Sequence, residues 1–442
     1  MKADIAIVNG YVKTMDGGKA LHDGIVLVKG NRILAVGTDD TLGDWEAGRV
    51  INAMGNVVMP GFSNCHTHIG SNVLLRGLNE DAKLFEWLGH MWKMKQNFDH
   101  ETLLLASQVG LIEMLKAGIT SFNEHFDAYS VTPEIDALET VPLRATLGFG
   151  FADRGLYADV NDYSWRALED FGDKVEKYHG RYQGRLQVGL SPHATYSCGP
   201  ELWRLCREVA DAHGISIHTH LAEGMQELKY VGEHYGCTPT QWLASLGVLG
   251  PDVTAAHCTA LNAEDIALMA NLDVKVAHCP ISNAKLCSGN MPMRELLSAG
   301  VHVGLATDGP ASHNTLDMFQ EMKFAAITHK NANIDPEILP LDRVLRMATR
   351  DAAIAMHRLD TGCLAEGMLA DIIVVDIGTI HSAPAYSPEA ALVYSCRADD
   401  VLYSIVDGQL LLDNKKPVGI EEEEVVIRLT EKACALRDKS FR

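Results

Sequence analysis

The feature that most constrains the fold is an alternation of short apolar runs with helical stretches between about residues 58 and 361. Helix candidates cover residues 101–117, 200–213, 262–271 and 293–299, and several end at a glycine, as helices do. This alternation is typical of a (β/α)8 barrel, whereas a doubly wound sheet would not need eight strands. The eight apolar runs that we interpret as barrel strands are residues 57–68, 118–123, 143–148, 186–190, 215–220, 253–257, 274–278 and 301–308.

The two ends of the chain have a different pattern. Short β-rich pieces separated by turns occupy residues 5–36, and the same pattern returns at residues 370–375 and 401–408. We therefore predict an α/β protein in which residues 59–361 form the barrel. Residues 1–58 and 362–442 together are predicted to form a small β-sandwich domain. The last stretch, residues 421–442, is predicted to be a helix with four glutamates in its first turn, where the helix dipole favours acids.

Composition argues against several classes of function. The 442 residues carry a formal net charge of -20, which disfavours nucleic acid or an anionic membrane as partner and leaves a small molecule. The first residues lack a signal pattern, and no apolar run approaches the roughly 18 residues that span a bilayer. The ten cysteines are scattered without a Cys-x-x-Cys pair, so we expect a reduced, cytoplasmic protein.

Metal-competent side chains end most of the predicted barrel strands. His66 and His68 stand two apart, and because side chains alternate along a strand, they point the same way. Barrel enzymes keep their chemistry at this C-terminal edge, so the joint pattern predicts a metal site. The other strand-end residues are His193, His220, His257, His278 and Asp308.

One divalent ion fits this set. His66, His68, His220 and Asp308 offer three imidazoles and a carboxylate, with room for a water, which suits zinc best and ferrous iron as the alternative. Such an ion lowers the pKa of bound water toward ~7.

Glu223 and His257 are the candidate proton-transfer residues. Glu223 follows a ligand by three positions and can protonate a substrate, and the less favoured alternative is a helix N-terminal acid. His257 can steer the water or stabilise an oxyanion, or else be a packed strand-end histidine. His218 and His278 are interpreted as structural.

Several motifs give the chain a resemblance to the amidohydrolase superfamily over nearly its whole length. Within it, the chain is similar to the branch of 5′-methylthioadenosine/S-adenosylhomocysteine deaminases and their triazine-hydrolase relatives. The motifs are residues 60–68, 75–77, 191–198, 220–223, 256–258, 279–286, 307–318 and 367–371.

The resemblance implies a mononuclear metal site and a hydrolytic deamination. In that family the glutamate matching Glu223 shuttles a proton to a ring nitrogen, the residues matching His257 and Asp308 handle the water, and the histidine matching His193 contacts the substrate. The reaction replaces an exocyclic amine on a heteroaromatic ring by oxygen and releases ammonia. Arg144 and Arg154 resemble substrate-side arginines, but Arg144 fits a salt-bridged strand residue equally well. A homo-oligomer is a family-level expectation.

The chain departs from the family at the end of the Trp87-Leu88 helix. Nucleoside deaminases of the branch carry a glutamate there for the ribose, whereas the matching position here is Lys95 or Gln96. We predict that these residues contact the substrate. The favoured substrate is an adenosine derivative such as 5′-methylthioadenosine, S-adenosylhomocysteine or 5′-deoxyadenosine. The alternative is a deaminase or dechlorinase of a pterin, a guanine-like base or an s-triazine.

Three other readings are disfavoured. Two-metal hydrolysis of cyclic amides in this superfamily needs a bridging lysine at the end of strand four, and residues 190–193 contain none. A cytidine-deaminase type of zinc site would need a Pro-Cys-x-x-Cys motif, which is absent. A non-catalytic scaffold would have no need of a complete ligand set.

Overall fold

The strands of the described residues form two sheets. The computed structural model describes the backbone of residues 1–125 and 131–441, with side chains for all of these but residues 160–162. The strands in this part are β1 (Lys2–Val12), β2 (Leu21–Lys29), β3 (Arg32–Gly37), β4 (Glu46–Asn52), β5 (Val57–Pro60), β6 (Phe62–Thr67), β7 (Ile119–His125), β8 (Arg144–Phe151), β9 (Leu186–Pro192), β10 (Ile217–Leu221), β11 (Val253–His257), β12 (Lys275–His278), β13 (Val303–Leu305), β14 (Ile372–Val375), β15 (Val401–Val406), β16 (Gln409–Asp413) and β17 (Lys416–Pro417).

Strands β6 to β13 form a nearly closed parallel barrel in chain order. Their residues are almost all buried, because helices cover the outside while side chains fill the interior, which explains the continuous apolar runs of the sequence. Side-chain and loop contacts join the first strand to the last. The Asp308 N–H donates to the His66 carbonyl oxygen at 3.0 Å, and the amide of Asn64 bonds Thr307. The predicted barrel is confirmed.

The two chain ends share a second sheet, ordered β17-β16-β15-β14-β5-β1-β2-β3, with β4 beside β1. Strand β14 runs antiparallel to β5, so the C-terminal strands pair directly with the N-terminal ones. The prediction that both ends build one β-rich unit is confirmed. The domain boundaries at residues 58 and 361 stay a prediction.

Helices surround the barrel and close its C-terminal edge. Helix α8 has the predicted bounds because Pro200 stands in its first turn and Gly214 ends it in the left-handed conformation. The helices of the described residues all fall short of the length and apolarity that a membrane span needs. They are α1 (Asp39–Leu42), α2 (Ile69–Asn72), α3 (Leu84–Lys95), α4 (His100–Lys116), α5 (Thr132–Thr140), α6 (Asn161–Glu169), α7 (Phe171–Tyr178), α8 (Pro200–His213), α9 (Met225–Tyr235), α10 (Pro239–Ser245), α11 (Ala263–Asn271), α12 (Pro280–Lys285), α13 (Met293–Ser298), α14 (Pro310–His313), α15 (Met318–Asn333), α16 (Leu341–Ala348), α17 (Arg350–Ala355), α18 (Pro388–Tyr394) and α19 (Glu422–Ser440).

The terminal helix α19 supports α3. Leu429 and Leu436 pack in one apolar cluster with Trp87 and Met91 of α3. This contact fixes the position of α3 relative to the terminal helix.

Arg144 lies at the other edge of the barrel, where it joins the two sheets. It begins β8, is 1% exposed, and its Nε donates to Asp371 Oδ2 at 2.7 Å while Nη2 donates to Asp407 Oδ1 at 2.9 Å. Both aspartates adjoin strands of the second sheet. The prediction of Arg144 as a substrate-side residue is therefore corrected: it is the salt-bridged strand residue that the sequence equally allowed.

Candidate active site

The four predicted metal ligands converge at the C-terminal edge of the barrel. His66 Nε2 and His68 Nε2 lie 3.3 and 3.4 Å from Asp308 Oδ1, and His220 Nε2 lies 3.3 Å from His68 Nε2. All four side chains are buried. They come from β6 and the residue that follows it, from β10 and from the turn after β13, which are far apart in the sequence and brought together by the closure of the barrel.

These separations fit a single divalent ion. A tetrahedral ion with ligand bonds of about 2.0–2.1 Å places its ligand atoms about 3.3 Å apart. The three separations among these four groups match that spacing. In addition, the buried Nε2 of His66 makes no hydrogen bond of its own. Nitrogen and carboxylate donors in this arrangement suit a divalent metal of the zinc type.

A surrounding set of hydrogen bonds orients each ligand. His220 Nδ1 lies 2.8 Å from the His193 carbonyl oxygen, so Nδ1 carries the proton and Nε2 keeps a lone pair for the ion. Asp308 Oδ2 accepts from the hydroxyls of Ser282 and Ser312, both at 2.7 Å, which leaves Oδ1 to the histidines. His218 Nε2 lies 2.8 Å from His66 Nδ1, and this hydrogen bond orients the His66 ring.

Burial keeps the imidazoles of His66 and His220 neutral, the form that binds a metal. It lowers the pKa of His66 to about 4 against the opposing effect of Asp308. Burial and the neighbouring histidines also hold the pKa of His220 well below its usual range. Burial opposes ionisation of Asp308, but the neighbouring imidazoles of His66, His68 and His257 hold its pKa well below the usual range.

Glu223 and His257 are a coupled pair beside the ligands. Burial raises the pKa of Glu223, so its protonated form persists closer to neutral pH. Burial disfavours the charged form of His257, but the carboxylates of Glu223 and Asp308 outweigh it and raise the pKa of His257. His257 Nδ1 lies 2.8 Å from Asn283 Oδ1, so Nδ1 carries a proton toward Asn283 and Nε2 is the exchangeable position.

Left-handed backbone occurs at the strand ends that carry these groups. Ala222, His257 and Asp308 have φ values of 49°, 73° and 58°. Such conformations cost energy in residues with a Cβ, and they cluster where a side chain must be aimed at a site. The turns after β10, β11 and β13 therefore direct Glu223, His257 and Asp308 toward the barrel axis.

A small inner cavity of about 40 Å³ adjoins the metal-ligand cluster. His193 is in its wall, with Nδ1 2.8 Å from the Ser197 hydroxyl and Nε2 3.3 Å from the Tyr157 hydroxyl. Lys95, 6% exposed, is also in the wall. The other wall residues are His68, Asn72, Leu84, Trp87, Leu88, Tyr196, His220, Glu223, His257, Leu286 and Asp308.

Two predicted substrate residues lie elsewhere. Gln96 is exposed, and its Nε2 donates to Asp159 Oδ2 at 3.1 Å. One residue is about 100° of helical rotation, so at the end of α3 Lys95 faces inward and Gln96 does not. Arg154 bonds Asp153 and the Tyr235 hydroxyl and is not part of the cavity wall. Both predictions are corrected.

Several residues in or beside the site were missed from the sequence. Leu84, Trp87 and Leu88 have the three- and four-residue spacing of one helix face, a signal that was present but not used. Glu124 and His125 end β7, two residues beyond the predicted run. Glu124 accepts from the Ile69 and Gly70 N–H groups, while the His125 ring centroid lies 4.3 Å from that of His220.

An outer chamber of about 270 Å³ opens beside the inner cavity. The two share Leu84, Tyr196, Glu223 and Leu286 as walls. The outer chamber also has exposed apolar groups, including Phe85, which packs edge-on to Tyr196, and Met225, 68% exposed. The remaining walls are Lys83, Gly224, Gln226, Glu227, Cys287 and Ser288.

This chain is similar to known proteins over almost its whole length. The profile of the amidohydrolase family matches residues 57–411. A 5-methylthioadenosine/S-adenosylhomocysteine deaminase of Pelotomaculum thermopropionicum is 36% identical, covering 98% of this chain and 99% of its own. A 5′-deoxyadenosine deaminase of Methanococcoides burtonii is 37% identical, covering 96% of each. The crystal structure of an adenosine deaminase from Xanthomonas campestris with bound zinc superimposes with a TM-score of 0.91 at 28% identity, over 99% of both chains.

The matches extend over the barrel and over the sheet formed by the chain ends. They confirm the resemblance that the motifs indicated. This chain belongs to the amidohydrolase family.

Proposed function

We propose that this protein is a zinc-dependent hydrolytic deaminase of an aminated heteroaromatic ring, with an adenosine derivative as substrate. 5′-Methylthioadenosine, S-adenosylhomocysteine and 5′-deoxyadenosine are the first candidates. The observation that carries the proposal is the convergence of four ligand atoms at 3.3–3.4 Å beside the buried pair Glu223 and His257. The names of the full-length relatives support the same reaction.

Zinc held by His66, His68, His220 and Asp308 would supply Lewis acidity that favours ionisation of water near neutral pH. The chain supplies the proton transfers. Glu223 delivers a proton to the ring nitrogen next to the amine-bearing carbon, and His257 Nε2 holds a proton from the attacking water. The carbon–amine bond breaks as the amine takes the proton held by His257, and the new hydroxyl returns a proton to Glu223, so a carbonyl forms on the ring and ammonia leaves.

The inner cavity is proposed to receive the ring. Leu84, Trp87 and Leu88 would cover its faces, and His193 would contact its edge. At about 40 Å³ the cavity holds only a few waters, so the proposal requires the cavity to widen when a ring enters. The outer chamber, lined by Phe85 and Met225, suits an apolar substituent on the far side of the substrate.

Lys95 favours a second candidate substrate class. Its ammonium is a hydrogen-bond donor without acceptor capacity, in the position where related nucleoside deaminases were expected to carry a carboxylate. A donor at this point suits a ring with a carbonyl acceptor, as in a pterin or a guanine-like base. An s-triazine offers no such group and ranks below them.

The test is a screen for ammonia release from matched pairs of compounds. Adenosine derivatives with and without an apolar 5′ substituent, free purines, pterins and amino-triazines would be compared at equal concentration. We expect turnover of an adenosine derivative, faster with the apolar substituent. Turnover confined to pterins or guanine-like bases would select the second class, and no ammonia from any compound would reject the function.

The proposed setting is the cytoplasm and nucleoside metabolism. All ten cysteines are free thiols, as expected for a reducing compartment. A homo-oligomer is proposed on family resemblance alone.

A further inference from the structure

Glu227 is a buried carboxylate that the proposed chemistry leaves without a role. It lies in the first turn of α9, is 3% exposed, and both of its oxygens are used. Oε1 accepts from the Thr195 hydroxyl at 2.5 Å, and Oε2 accepts from the Glu223 backbone N–H at 2.8 Å. One side chain therefore connects the turn after β9 with the turn after β10.

These two turns carry the residues that face the substrate. Thr195 lies two positions after His193, and Glu223 lies two positions after the end of β10. The peptide of Glu223 is also held from its other side, because Thr259 Oγ1 donates to the Glu223 carbonyl oxygen at 2.6 Å. The backbone of Glu223 is thus fixed at both its N–H and its carbonyl group, next to Ala222 in the left-handed conformation.

We propose that Glu227 is a positioning residue that fixes Glu223 for proton transfer, and that it does so fully only in its ionised form. The inference rests on the proposed function, which gives Glu223 the proton-transfer role. An ionised acceptor makes hydrogen bonds about twice as strong as a neutral one, so protonation of Glu227 loosens both contacts. A small displacement of a catalytic group lowers kcat more than it raises KM.

The surroundings of Glu227 place its ionisation in the working pH range. Burial raises the pKa of Glu227 to about 7, against the two hydrogen bonds that favour the charged form. The titratable groups that act on it are Glu223, which raises the pKa, and His257, which lowers it. The charge of Glu227 in turn acts on Tyr196 and Cys258. As pH falls through about 7, Glu227 takes up a proton and the clamp on Glu223 weakens.

The test compares Glu227→Gln with wild type in steady-state kinetics and in hydrogen exchange. Glutamine keeps the shape, can accept from the Glu223 N–H and donate to Thr195, and cannot ionise, so it mimics protonated Glu227. We expect kcat to fall roughly 10-fold above pH 7 with KM unchanged, as for one weakened hydrogen bond to a charged group. The variant should also lose the step in kcat near pH 7. Glu233→Gln, on the exposed side of the same helix, is the matched control.

Exchange of the Glu223 amide, followed by mass spectrometry of peptides spanning residues 221–224, tests the clamp without substrate. It should be faster in Glu227→Ala and, below pH 7, in wild type after correction for intrinsic exchange. Unchanged exchange in Glu227→Ala overturns the clamp even if no ammonia is released from any compound. Wild-type kcat and pH profile in Glu227→Gln overturn the positioning role while the deaminase function stands.

Discussion

The two edges of the barrel both hold buried charged groups, but they use them differently. At the N-terminal edge, Arg144 has matched partners, since its guanidinium spans Asp371 and Asp407. At the C-terminal edge, three imidazoles and Asp308 point their ligand atoms at one another across 3.3–3.4 Å. At the N-terminal edge, opposite charges in contact join the two sheets. At the C-terminal edge, the converging ligand atoms need an ion between them. Both clusters are buried, so it is the chemistry of the groups in contact, more than burial, that distinguishes the structural cluster from the functional one.

The largest effect is expected at the C-terminal edge, from Glu223→Gln. The amide cannot deliver a proton, so kcat should fall by roughly 10²–10⁴-fold. Metal content should be unchanged, and thermal stability should be equal or higher, since burial already raises the pKa of Glu223 and the neutral amide removes a buried charge. An ammonia-release assay measures kcat, metal analysis measures the metal content, and thermal unfolding measures the stability. Full activity would remove Glu223 from the mechanism.

At the N-terminal edge, Arg144→Met is expected to lower the stability of the protein. Removing the cation leaves Asp371 and Asp407 buried without it, which should cost roughly 3–5 kcal/mol in the free energy of unfolding. The bound metal should be retained by the folded protein. Arg49→Met, which breaks an exposed pair with Asp413, is the control and should cost about 0–1 kcal/mol in urea unfolding. Stable Arg144→Met protein with a raised KM would restore the substrate-side role.

A smaller effect separates the two residues at the end of α3. Lys95→Met should lower kcat/KM by roughly 10–100-fold, the value of a hydrogen bond to a charged group. Gln96→Leu should leave kcat/KM essentially unchanged, because Gln96 bonds Asp159 at the surface. The measurement is kcat/KM of both variants with the compound that the screen selects. A lower kcat/KM in Gln96→Leu but not in Lys95→Met would contradict the assignment of Lys95 as the residue that faces the cavity.

Sequence reasoning succeeded where the barrel itself fixes geometry. Strand order brings the C-terminal ends of β6, β10 and β13 together, and with them His66, His68, His220 and Asp308. It failed at Gln96 and Arg154, whose directions are set by hydrogen bonds with Asp159 and Tyr235, far away in the sequence. The partners of Arg144 follow it by more than 220 residues, so local pattern cannot show them. The wall formed by Leu84, Trp87 and Leu88 depends on α19 holding α3 in place.

Metal stoichiometry tests the central claim most directly. The protein would be purified without chelator, and metal per chain measured by plasma mass spectrometry for wild type, His220→Ala and His193→Asn. His193 is the control because its side chain lies beside His220 without being one of the four converging ligands. The account predicts about one divalent ion per chain in wild type and His193→Asn, and little in His220→Ala. Two ions per chain, or undiminished metal in His220→Ala, would contradict it.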